Sequence, residues 1–183
     1  MRLLNVQFLG PFAWWNRETE KSVFSEIQEK DIKSGIYLRT FKKDKKYDVF
    51  FVGESENLGK RFEQHFSLYM SGLYSMYEPK LLDEIKRKEV LSKRWNDTTY
   101  PDYFMNNYQE VTKKNYQMME KMKIFIAQLE KDDLKTVETM IILQLQNTSD
   151  QQTKNFLANK RKIRNLKDLK IKYQSNVYIE GLT

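Results

Sequence analysis

Two β-rich runs, joined by five polar residues and followed at once by a helical pattern, constrain this chain more than any other feature. Gly35 to Phe41 and Tyr47 to Val52 are dense in aromatic and branched residues, and Lys42 to Lys46 between them is short and polar, which predicts an antiparallel hairpin. After Gly53, Ser55 is expected as a helix N-cap with Glu56 in the first turn, and Leu58, Phe62, Phe66 and Tyr69 then recur at helical spacing. A helix is thus expected to follow the hairpin directly.

The remaining segments are less constrained. Residues 1 to 9 alternate loosely and predict a strand that stops at Gly10-Pro11; residues 11 to 30 give no clear pattern. From Met70 to Lys121 the chain is polar and rich in aromatics, with helices expected around Pro79 to Lys93 and Asn107 to Lys121 and a loop at Asn96 to Pro101. Lys123 to Leu129 predicts a short strand, Asp132-Asp133 a helix start, and Leu134 to Gln146 an apolar helix. The segment after it is expected to be helical in part, with a closing strand at Asn176 to Ile179. A chain of 183 residues of this kind reads as one elaborated domain, with a core at about 33–69 and 122–147, an insertion at about 70–121 and a basic segment at 154–172.

Charge and composition narrow the function. Residues 154 to 172 hold eight of the 32 Lys and Arg and one of the 25 acids, so 24 of each sign remain elsewhere and the net charge of +7 resides in this one segment. Lys160, Arg161, Lys162 and Arg164 read either as a phosphate-binding patch, driven by counterion release, or as a solvated helix face. With no cysteine there is no thiolate metal site and no cysteine nucleophile, which leaves hard cations such as magnesium as the metals to expect. No run approaches the ~18 apolar residues of a membrane span, and the N-terminus has no signal-peptide pattern, so no membrane partner is expected and a cytoplasmic location is.

Three residues stand out chemically. Leu134, Val137, Ile141, Ile142 and Leu145 form an apolar stripe, and Glu138 falls inside it; a carboxylate there must be paired, protonated or bound to a metal, an ordinary salt bridge being the plain alternative to a ligand. Arg61 and His65 lie one turn apart on the first helix, beside Leu58 and Phe62, where they could hold a phosphate and handle a proton. His65 is the sole histidine, which excludes a His-His metal site.

The text Ser34-Gly35-Ile36-Tyr37-Leu38, then Phe50-Phe51-Val52-Gly53 and Asn57-Leu58, with Arg61 eight residues past Gly53 and His65 four later, resembles the GIY-YIG nuclease family. The resemblance implies an α+β fold: a small antiparallel sheet flanked by helices, with a helical insertion between the first helix and the third core strand. It implies a DNA endonuclease, a phosphodiester hydrolase dependent on Mg²⁺ or Mn²⁺, whose active site joins Tyr37, Arg61, His65 and Glu138, with Glu138 as the metal ligand. DNA is the expected partner, RNA an alternative, and a homodimer would serve for cutting both strands.

Departures from the family pattern set the rival reading. Phe51 stands where the family has its second tyrosine; Tyr47 shares strand parity with it and is a candidate substitute. The 76 residues between Arg61 and Glu138 exceed those of compact members, and the asparagine that follows the glutamate has only Asn155 as a distant match. The aromatics Tyr74, Tyr77, Trp95, Tyr100, Tyr103 and Phe104 serve either base stacking or core filling. The competing reading is a catalytically inactive nucleic-acid-binding module on the same scaffold.

Overall fold

A computed structural model describes residues 2–91, 100–148, 150–161 and 169–182. The expected hairpin is its spine: β4 (Gly35–Lys43) pairs antiparallel with β5 (Lys46–Ser55), and Lys43 opposite Lys46 closes a two-residue turn in which Asp44 takes a left-handed φ of 54°. Aspartate tolerates that conformation better than most residues. On the other side β4 pairs antiparallel with β8 (Lys123–Gln128), and β8 with β1 (Arg2–Ala13). β1 then pairs in parallel with β9 (Leu169–Ser175), giving the order β5-β4-β8-β1-β9.

The sheet is therefore mixed, and the expectation of a purely antiparallel one is corrected by the β1–β9 pair. β1 also does not stop at Gly10-Pro11. It continues to Ala13 through a register irregularity between Leu9 and Phe12, where Gly10 and a cis Pro11 leave the ladder. A local bulge absorbs residues that cannot pair, so turn-forming residues need not end a strand. In place of a closing strand at Asn176 to Ile179, a single parallel bridge joins Ile179 to Tyr47 on β5. The sheet curls far enough for the tail leaving β9 to reach the opposite edge, with Tyr47 N donating to Tyr178 O and Glu180 N to Tyr47 O.

Alternation along β4 divides the core. Ile36 and Leu38 face a cluster with Val6, Phe125 and Ala127, covered by Val137, Ile141 and Ile142 of α5 (Leu134–Thr148). Tyr37 and Phe41 face the other cluster, covered by Val23 and Ile27 of α1 (Val23–Glu29) and by Leu58, Phe62 and Tyr69 of α2 (Leu58–Met70). The strips β2 (Trp15–Asn16) and β3 (Lys21–Ser22) pair ahead of α1. α2 is capped by Asn57, whose side chain accepts from Lys60 N, and not by Ser55, because Ser55 is still in the ladder opposite Gly35.

The insertion is only partly helical. It contains β6 (Met76–Tyr77), the single turn α3 (Pro79–Leu82) and β7 (Glu89–Leu91) before the long α4 (Tyr100–Lys121). Leu82, Ile85, Met118 and Met119 belong to the α2-side cluster, so the insertion completes that core. After α5, α6 (Gln151–Phe156) leads into an extended stretch along β5, where Ala158 N donates to Phe50 O and Asn159 brackets Val52, accepting from its N and donating to its O. Among the described residues no helix is long and apolar enough to cross a membrane.

Candidate active site

Residues 24 and 28 positions apart meet at one hydroxyl. The Tyr37 oxygen lies 2.6 Å from His65 Nε2 and accepts from Arg61 Nε at 3.4 Å. Strand alternation turns Tyr37 toward α2, and the i, i+4 spacing places Arg61 and His65 on the helix face above it. Gly53, opposite Tyr37 in the ladder, makes this possible: a Cβ there would collide with the tyrosine ring, which lies across the bare backbone. Gly35 has a matching role against β8, where a Cβ would strike the Ala127 carbonyl. Both motif glycines are thus explained by close approach.

The group continues inward. His65 Nδ1 meets the Tyr74 hydroxyl at 2.5 Å, and the Arg39 guanidinium sits 4.0 Å from the centre of the Phe51 ring while Nη1 donates to the Tyr69 hydroxyl. Arg39 is 4% exposed, its Nε has no hydrogen-bond partner, and among the described residues it has no carboxylate partner. Arg39 escaped the sequence reading, although it shares strand parity with Tyr37, and Tyr74, read there as a stacking or core-filling aromatic, is instead a hydrogen-bond partner of His65. Two guanidiniums beside a buried imidazole have a clear electrostatic result. Burial first, then Arg39 and Arg61, lowers the His65 pKa from 6.5 to about 2, so the ring is neutral. Burial pushes Tyr69 up to about 12 and raises Tyr74 as well, keeping both phenols protonated.

Tyr37 is fully buried and His65 is 1% exposed, so neither touches solvent directly. Arg61 is the half-exposed member, and it lines an open depression of about 520 Å³ with Lys60 and Gln64. Phe51 stacks on Tyr37 at 6.2 Å between centroids. Tyr47 cannot replace its missing hydroxyl, because Arg39 pairs with Phe51 and Thr40 with Val49, leaving Phe50 as an extra residue. That bulge reverses the parity: Tyr47 faces the α5 side against Phe125, 5.1 Å away.

Glu138 is not brought to this cluster by any hydrogen bond or ion pair among the described residues. It is 8% exposed on α5, which packs on the opposite face of the sheet, and its Oε2 accepts from Arg161 Nη2 at 3.0 Å. Arg161 arrives there because Asn159 and Ala158 hold the preceding chain to β5. Lys160 and Arg161 are exposed, whereas Lys162, Arg164 and Trp95 lie outside the described residues. Asn155 is exposed and accepts from Gln151; Asn159 is the asparagine in contact with the hairpin. Tyr103 and Phe104 pack on Met76 and Val111, and Tyr77 on Phe50, which makes core filling their observed role.

Among the described residues no group of three or more His, Asp or Glu side chains could hold a metal ion. A lone hard carboxylate suits a magnesium ion that takes its other ligands from water and substrate phosphate, provided Arg161 moves aside. Comparison of the chain with protein-family profiles, curated proteins and solved structures gave no match.

Proposed function

We propose that the chain is a metal-dependent endonuclease that hydrolyses DNA phosphodiester bonds at a GIY-YIG-type site on the α2 face. The observation that carries this reading is the meeting of Arg61 and His65 at the Tyr37 hydroxyl, with Gly53 cut away beneath the ring. Arg61 spans the hydroxyl and the open depression, so its guanidinium can take a scissile phosphate and offset the charge that develops there. When Arg61 moves onto that phosphate it uncovers the Tyr37 oxygen, which then orients the attacking water. His65 acts through Tyr37 and not on water, since both its nitrogens already face phenols.

Glu138 would hold Mg²⁺ or Mn²⁺, which supplies charge neutralisation at a phosphate oxygen. Arg161 and Lys160, with Lys162 and Arg164, would follow the nucleic-acid backbone, and a second copy of the chain would serve the second strand. An inactive nucleic-acid-binding module is favoured instead by two observations, the Arg161–Glu138 pair and the missing hydroxyl at Phe51.

Supercoiled plasmid and labelled single-stranded DNA and RNA, incubated with and without Mg²⁺ or Mn²⁺, distinguish the two. The wild type and Tyr47→Phe are expected to cut alike, while Arg61→Ala and Glu138→Ala lose on the order of 100-fold in rate. Equal cutting by all four proteins, or none on any substrate, ends the nuclease reading. Retention of the nucleic acid without cutting selects the binding module.

A further inference from the structure

We infer that His65 and Tyr74 form a relay that carries the proton of the sealed Tyr37 hydroxyl to solvent. The consequence for cleavage rests on the nuclease reading above; the relay itself does not. Tyr37 is fully buried, and its hydroxyl has two polar neighbours, Arg61 Nε and His65 Nε2. Arginine only donates, so the phenolic hydrogen must point at His65 Nε2 or be buried without a partner. Nε2 then carries no hydrogen, and the neutral imidazole carries it on Nδ1, aimed at the Tyr74 oxygen. Tyr74 is half-buried and belongs to the segment just after α2. The donors therefore run in one direction, from Arg61 to Tyr37 to His65 to Tyr74.

The groups around the imidazole keep it a conductor and not a store. Arg39 approaches from β4, Arg61 and Tyr69 from α2, and Tyr74 from the insertion. Glu54 of β5 acts on Arg61. Two cations facing one ring disfavour an imidazolium. In the transfer, the Tyr37 O–H bond breaks as Nε2–H forms, Nδ1–H breaks as its proton joins the Tyr74 oxygen, and the former Tyr74 proton passes to water. One proton leaves Tyr37 for solvent, and the phenolate left behind faces the Arg61 guanidinium and the new Nε2–H. Phe51, stacked on Tyr37, has no hydroxyl; the second phenol of the group is Tyr74.

His65 being the sole histidine, ¹⁵N-labelled full-length protein gives one imidazole spin system in a long-range ¹⁵N–¹H correlation spectrum. The wild type is expected to show a neutral ring with hydrogen on Nδ1 from pH 8 to 5. Tyr74→Phe removes the acceptor of Nδ1–H but leaves the Tyr37 hydroxyl on Nε2, so hydrogen is expected to stay on Nδ1 while the Nδ1 resonance shifts with the lost bond. A wild-type ring protonated on Nε2, an imidazolium at pH 6, or a Tyr74→Phe spectrum with hydrogen moved to Nε2 would each overturn the relay; the first two need no variant to fold. In cleavage assays Tyr74→Phe should lower kcat about tenfold with KM unchanged and shift the pH profile. The expected tautomer in a protein that cuts nothing would uphold the relay and refute the nuclease reading.

Discussion

The two faces of one sheet are built from alternating residues of the same strands, yet they solve the burial problem differently. The α5 face is mainly aliphatic, with Ile36, Leu38, Val49 and Val52 against Val137, Ile141 and Ile142, and the carboxylate inside its helix stripe, Glu138, reaches an arginine at the rim. The α2 face interrupts an aromatic core with Arg39, His65 and four phenols, and it balances them by hydrogen bonds and ring contacts and not by ion pairs. Buried polar groups persist only when nearly all are satisfied, so a network of this density signals a task beyond stability. The two kinds of polar group therefore lie on opposite faces of the sheet, the Tyr37–His65–Tyr74 group under α2 and Glu138 with Arg161 on α5.

Gly53→Ala tests the contrast most severely. A methyl group would collide with a ring that is fully buried and tied at its hydroxyl, so urea unfolding should show a loss of about 3 kcal/mol. A loss below about 0.5 kcal/mol would mean that the Tyr37 ring gives way freely and is not held by close packing against the Gly53 backbone.

The second effect comes from acid. His65 titrates far below its ordinary 6.5 in the folded chain, so the folded state binds fewer protons than the unfolded one between pH 6.5 and about 2. The stability this group contributes is complete above pH 6.5 and is lost as pH falls through that window. Between pH 7 and about 4.5 the wild type should lose about 2.5 kcal/mol that His65→Gln does not lose, read from denaturation midpoints at both pH values. Parallel pH curves would break the picture of a ring held neutral.

The smallest effect sharpens the other face. Arg161 is about half exposed, so Arg161→Ala should cost only about 1 kcal/mol. It should also leave Glu138 open, giving a rise in Tm with Mg²⁺ that vanishes in the Arg161→Ala, Glu138→Ala double variant. No cation-dependent shift in either protein would remove Glu138 from consideration as a ligand.

Much of this site is legible residue by residue. Arg61 and His65 on one helical face and Glu138 inside the α5 stripe follow from the 3.6-residue period, whereas Tyr37 was singled out by the motif resemblance. What was not legible depends on pairings between distant segments. The bulge at Phe50 turns Tyr47 away from Phe51, although simple alternation puts them together. Arg161 reaches Glu138 only because Asn159 and Ala158 hold their segment to β5. Tyr74 reaches His65 from a turn whose path no local pattern predicts.

The amino-acid sequence by itself determined the hairpin, the helix after it, the α5 stripe and the shared helical face of Arg61 and His65, because backbone periodicity acts over a few residues. Tertiary structure decided the parallel β9, the passage of β1 across Gly10-Pro11, the tail bridge to Tyr47 and the partner of Glu138. Each of those is a choice of long-range neighbour, settled by which edges and charges the folded chain brings within reach.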